Sequence, residues 1–185
     1  IDFSASLVER VALLEGLDVS VLTTVSKSLT PTKGAKALVQ HIHEKGGFVA
    51  AGSGGFIQLL DPLKAELGLD FAKANKLEVV AGSLTGKVTG ELVDSGVKAK
   101  TLQDLAQELG IDMGRTIAIG DGANDIKMMK VAGLSIGFCA KPAVTEIADI
   151  SINYINDTKD YGVFANSDFS KNSFIGEYIG LLRKR

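Results

Sequence analysis

The chain has 185 residues, 45% of them apolar and 23% charged, and its 20 Lys and Arg against 22 Asp and Glu give a net charge of −2. That length suits one domain with a small appendage and is enough to bury a real core, while the balanced charge leaves no basic footprint for nucleic acid or an acidic membrane surface. A lone cysteine, Cys139, excludes an intramolecular disulfide and fits a reducing, cytoplasmic compartment, and no apolar run reaches the length of a membrane span.

The first thirty residues read as helical. "FSASLVERVALLEGL" puts Phe3, Leu7, Val11 and Leu14 on one face, with Gly16 at the C-terminal end. Asp18 is placed to cap a second helix through residues 19–29. Pro31 and Gly34 then interrupt both periodicities, so residues 30–34 read as a linker. Residues 1–30 are thereby set apart from an α/β unit over residues 31–185.

From residue 34 strands and helices alternate. "GAKALVQHIHEKGG" is an amphipathic helix with Leu38, Val39 and Ile42 inward, and "FVAAGS" a short buried strand. A helix through residues 55–69 carries Pro62 near a kink, and "KLEVVAGSLTGKVTGEL" reads as a hairpin about Gly82-Ser83. "KAKTLQDLAQELG" is a helix with Leu102, Leu105 and Leu109 on one side. "TIAIGD", "LSIGF" and "ISINYI" are strands, helices begin near Asn124 and Pro142, and residues 172–185 form a terminal helix. This alternation predicts an α/β fold with a mostly parallel sheet. Sites in such sheets lie outside the C-terminal strand ends, which is where the glycine turns at 52–55 and 120–122 fall.

Three stretches carry chemistry. In "IGDGAND", Asp121 and Asp125 flank a glycine turn, and two carboxylates so placed suit Mg²⁺, which takes oxygen ligands, keeps several waters and works with a phosphate. The competing reading is a helix whose first turn favours acidic residues. In "AGSGGF", Ser53 and the N–H groups about Gly54 form a phosphate cradle, or the glycines merely tighten a turn. Lys98 opens a helix, a position the helix dipole disfavours for a cation unless it is exposed or reaches an anion; Lys100 is its rival. His41 and His43 lie two apart on a helix and do not share a face. Cys139 reads as a small buried apolar residue rather than a nucleophile, and the basic residues 183–185 as a solvated helix end.

Ser-Gly-Gly-Phe, then the lysine of "VKAKTL", then "GDGANDIKM", in that order on an α/β chain, resembles the haloacid dehalogenase superfamily of phosphotransferases. "FAKANKLEV", "GKVTGE" and "AGLSIGFCAKP" extend the similarity over most of residues 1–150. The resemblance implies a Rossmann-like core with a small helical cap and a Mg²⁺-dependent phosphomonoesterase. Its implied reaction is hydrolysis of O-phospho-L-serine through an aspartyl-phosphate. Ser53 and Gly54 would hold phosphate oxygens, Lys98 would neutralise the phosphate, and Asn124 would reach the phosphate region. Asp121 would bind Mg²⁺ directly, with Asp125 orienting a metal-bound water or supporting Lys98. Within "DFSASLVERVALL", Phe3 would close over the substrate and Arg10 would pair with its carboxylate. The implied partner is a small phosphorylated molecule, without nucleic acid or membrane, and a homodimer is left open.

One departure stands out. The superfamily's Asp-x-Asp-x-Thr nucleophile motif, at the end of a first apolar strand, does not occur in the 185 residues. "DFSAS" has Ser4 in place of the second Asp and runs straight into a helix, which rules it out. The sequence is therefore expected to be a fragment or an incompletely recorded chain, inactive alone and, without a central strand, poor at folding. The alternatives are a phosphatase of the same superfamily for another small phosphoester, and a non-catalytic fragment that binds phosphate or Mg²⁺.

Overall fold

A computed structural model describes residues 3–157 and 160–166. The terminal helix expected over residues 172–185, and with it the basic end, lies outside the described residues. Among those described, no helix is long and apolar enough to cross a membrane.

Helix α1 (Phe3–Ala12) and helix α2 (Ser20–Ser28) come first, and α3 (Ala35–Glu44) follows the linker. Strand β1 (Ala50–Phe56), helix α4 (Ile57–Leu67) and strands β2 (Phe71–Val80) and β3 (Ser83–Thr89) make a three-stranded sheet with its crossover helix. β1 runs parallel to β2, and β2 pairs antiparallel with β3. Ala81 at φ 50° and Gly82 at φ 82° make the hairpin loop, since a two-residue loop that follows the strand twist needs left-handed backbone at both central positions. Leu7 and Val11 of α1 are buried with Leu77 and Leu84 of this hairpin, and Phe3 and Leu14 pack against them, so the helical face read from spacing is the packed one.

Helix α5 (Ser95–Glu108) leads into a second sheet of β4 (Ile117–Gly120), β5 (Leu134–Phe138), β6 (Ile150–Asn156) and β7 (Asp160–Ala165), with helices α6 (Ile126–Val131) and α7 (Pro142–Thr145) in its crossovers. β4, β5 and β6 are parallel, and β7 returns antiparallel. One face of the sheet is covered, with Ala118, Met129, Val144 and Ala148 forming its core. The expected α/β class holds, but the strands are divided between two sheets, and β7 has no counterpart among the expected elements.

Several local expectations are corrected. β1 is not buried: among the described residues it has a sheet neighbour on one side only, and none of its residues is fully covered. Strand assignment runs through the glycines to Phe56, with a register shift between Ser53 and Phe56 in place of a simple turn. Leu38 is 48% exposed, because the covered side of α3 is centred on Val39 and leaves Leu38 at its margin. Cys139 is exposed: it stands at φ 46° in the turn after β5, held by its N–H to the Ile152 carbonyl at 2.8 Å rather than by packing. Asp18 accepts from the Ser20 N–H at 2.8 Å, but the residue at the N-cap of α2 is Val19.

Candidate functional site

The C-terminal ends of β1 and β4 and the first turns of α5 border one open cavity of about 530 Å³. Phe3, Arg10, Ser53, Gly54, Lys98, Asp121, Asn124 and Asp125 all line it, so residues far apart in sequence meet at one cavity.

β1 and β2 part company at this edge. Gly55 N–H turns back to the Ser53 Oγ at 3.0 Å, which leaves the hydroxyl hydrogen of Ser53 available to a ligand. Phe3 reaches over from α1 so closely that a Cβ on Gly54 would sit 2.8 Å from its ring. Only glycine leaves that approach open at no cost.

Lys98 does not open its helix as the sequence suggested. α5 begins at Ser95 behind Asp94, whose carboxylate accepts from the Val97 N–H at 2.8 Å in an N-cap bond. Lys98 thus lies one turn inside and is buried, with its Nζ 2.8 Å from Asp125 Oδ1. Its rival Lys100 is exposed and pairs with Asp104 along the same helix. Burial separates the two lysines, which position along the helix alone had left as rivals.

Asp125 is the knot of the acidic turn. While Oδ1 holds Lys98, Oδ2 accepts from the Asp121 and Gly122 N–H groups at 3.2 and 3.3 Å. Gly120 is required beneath it, because a Cβ there would lie 2.4 Å from the Asp125 Cβ. The turn is also tied outward by the Lys141 N–H, which donates to the Asp121 carbonyl at 3.0 Å. The Asp121 carboxylate has no partner among the described residues and stands exposed at the cavity.

Among the described residues no three His, Cys, Asp or Glu side chains converge on a metal position. The carboxylates at the cavity are Asp121 and Asp125, and one or two carboxylates together with a phosphate are a donor set that a hard, water-rich cation can take. Asp121 supplies the free carboxylate and Asp125 the paired one behind it. His43 Nε2 lies 2.9 Å from Asp70 Oδ2, and His41 Nδ1 3.9 Å from Glu44, so the two histidines face different carboxylates away from the cavity.

At the mouth, Arg10 Nε donates to the Ser6 carbonyl at 3.2 Å, and the rest of its guanidinium has no partner among the described residues. Asn75 was not anticipated: its side chain is fully buried behind Gly54. A polar amide in the strand "FAKANKLEV", where β-branched or aromatic residues are favoured, is the signal that would have marked it.

A family profile for haloacid dehalogenase-like hydrolases matches residues 4–133. The phosphoserine phosphatase of Streptococcus thermophilus is 50% identical over 144 residues, 78% of this chain and 67% of the relative. That of Streptomyces coelicolor is 49% identical over 153 residues, 83% of this chain but 37% of the relative. The chain therefore spans between about a third and two thirds of the length of these relatives. A structure of a phospho-aspartyl intermediate analogue of phosphoserine phosphatase, 44% identical, superposes with a TM-score of 0.78 over 82% of this chain and 72% of that one. On these matches the chain belongs to the phosphoserine phosphatase family of haloacid dehalogenase-like hydrolases.

Proposed function

We propose that the cavity binds O-phospho-L-serine and that the protein hydrolyses it to L-serine and phosphate. The observation that carries this reading is the convergence on one cavity of Ser53, a buried Lys98 fixed by Asp125, and an Asp121 whose carboxylate has no partner among the described residues. The phosphate lies against the Ser53 hydroxyl and the backbone of Gly54, and Lys98 supplies positive charge from behind as phosphoryl oxygens gain charge. Because Asp125 already holds the ammonium, Lys98 needs no reorganisation when the substrate arrives. Asn124 offers an amide to the same oxygens. Arg10 takes the serine carboxylate in a bidentate pair, and Phe3 covers the bound molecule.

Asp121 would hold a divalent cation, which we assign as Mg²⁺; when bound, it neutralises phosphate charge and aligns the phosphoryl group. The phosphoryl acceptor is a carboxylate that these 185 residues do not contain, as in the aspartyl-phosphate chemistry of the structural relative. We assign residues 1–30 to a cap and 31–185 to the core, and the protein to the cytoplasm.

The test is phosphate release from O-phospho-L-serine by the full-length protein, with and without Mg²⁺. Turnover that needs the cation and exceeds that of a carboxylate-free phosphomonoester is expected. Equal turnover of both esters transfers the site to a general small-phosphoester phosphatase, and none on either leaves a phosphate-binding protein.

A further inference from the structure

We infer that Asn75 is a positioning residue that fixes the distance between the Ser53–Gly54 phosphate cradle and Lys98; this rests on the phosphate-binding reading above. Asn75 is 1% exposed, and both functional ends of its amide are used. The pairing of β1 with β2 slips between Ser53 and Phe56, so Gly54 and Gly55 have no rung on β2. Asn75 lies opposite Phe56 just past the slip, and its Nδ2 donates to the Gly54 carbonyl at 2.9 Å. On the other side its Oδ1 accepts from the Val93 N–H at 2.8 Å. Val93 is buried and immediately precedes Asp94, the N-cap of α5, and Asp94 in turn holds the N–H of Val97, the residue before Lys98.

A continuous path of hydrogen bonds and adjoining backbone thus joins the two walls of the cavity through one side chain. With a carbonyl on one side and an N–H on the other, the amide has a single satisfied orientation. Asparagine is suited to this place because it offers a donor and an acceptor at once. An apolar residue of similar size would strand both Gly54 O and Val93 N–H in the interior. Asn75 touches no substrate position; it acts through Gly54 and the start of α5.

The experiment measures inorganic phosphate binding to the full-length protein by titration calorimetry, with folding followed by circular dichroism at low temperature. Folded Asn75→Ala is expected to bind phosphate about tenfold more weakly at pH 7, the loss that goes with one misplaced charge-assisted contact. Asn75→Asp keeps the acceptor for Val93 but faces Gly54 O with a carboxylate whose pKa burial raises. Its affinity relative to the unsubstituted protein is expected to recover between about pH 8 and 5, as protonation restores a donor. The unsubstituted protein is the reference at each pH, which cancels the titration of phosphate itself. A role confined to stability lowers the melting temperature and leaves the affinity of the folded variants unchanged and the Asp ratio flat, and that result overturns the inference. If the Ala variant does not fold, the pH dependence of Asn75→Asp decides. Absence of phosphate binding by the unsubstituted protein overturns the functional reading and this inference together.

Discussion

The floor of the cavity and its mouth hold their charges in opposite ways. At the floor Lys98 and Asp125 meet at 2.8 Å with side chains 5% and 8% exposed, and the second oxygen of Asp125 closes the acidic turn. At the mouth, among the described residues, Arg10 is exposed and bonds only within its own helix, and Asp121 is exposed with no carboxylate partner. The floor spends its charges on each other to fix geometry. The mouth leaves one positive and one negative group for a ligand. Substitutions at the floor should therefore be read first in stability, and those at the mouth in ligand binding, with Arg10 setting selectivity.

The largest effect should come from breaking the floor pair. Asp125→Ala leaves a buried ammonium without its partner and two N–H groups of the turn unpaired, a loss of about 3 to 5 kcal/mol when one half of a buried ion pair is removed. Urea unfolding of the variant measures it. Removing both charges with Lys98→Met and Asp125→Leu should recover much of that loss, while loss of the ammonium weakens phosphate binding. A double variant as unstable as Asp125→Ala alone would show that the backbone bonds of Asp125, not the ion pair, hold the floor.

A smaller loss should follow from crowding the same knot. Gly120→Ala sets a Cβ 2.4 Å from the Asp125 Cβ, near the backbone, where no flexible tip can swing away. Overpacking of this kind costs about 1 to 3 kcal/mol. Gly54→Ala is the matched contrast at the mouth, since its nearest neighbour, at 2.8 Å, is the far end of the Phe3 ring, which can turn aside. Thermal unfolding of the two variants should rank Gly120→Ala well below Gly54→Ala, and the reverse order would mean that the acidic turn is the softer of the two.

The glycine turns at two strand ends and the family resemblance made the members of the site legible, although the two strands, β1 and β4, belong to different sheets. What the sequence could not supply was pairing. Nothing in "VKAKTL" tells Lys98 from Lys100, for only the fold buries the first beside Asp125 and leaves the second beside Asp104. Asn75 escaped notice for the same reason: its partners, Gly54 and Val93, are set by a register slip that no local pattern encodes. Cys139 shows the limit of apolar runs, since a residue at the end of "LSIGF" is turned outward by one left-handed backbone step.

Away from the cavity, Asp70 joins α3 to the start of β1 and supplies a pH-dependent check. Burial tends to raise its carboxyl, but the Val49 N–H and His43 outweigh that and hold it below the ordinary 3.8. A carboxyl depressed in the folded state stabilises above its unfolded pKa, and that contribution fades as pH falls through the folded value. Asp70→Asn should therefore cost about 1 kcal/mol at neutral pH. The gap from the unsubstituted protein should close only below 3.8, the range in which Asp70 takes up its proton. A gap that persists unchanged in acid would assign the contribution to packing rather than charge.

The mouth should give the least stability change and the clearest selectivity. Arg10→Ala removes an exposed side chain whose one bond among the described residues is to Ser6 of the same helix, so unfolding free energy should move by less than about 0.5 kcal/mol. Its free guanidinium is nevertheless the group assigned to the serine carboxylate. Loss of a charge-assisted pair predicts about a ten- to hundredfold drop in kcat/KM for O-phospho-L-serine. A phosphomonoester without a carboxylate should lose little, because the Ser53, Lys98 and Asp121 half of the cavity is untouched. Parallel losses on both esters would move Arg10 from carboxylate recognition to the phosphate side, and would break the division between a floor that fixes geometry and a mouth that selects the substrate.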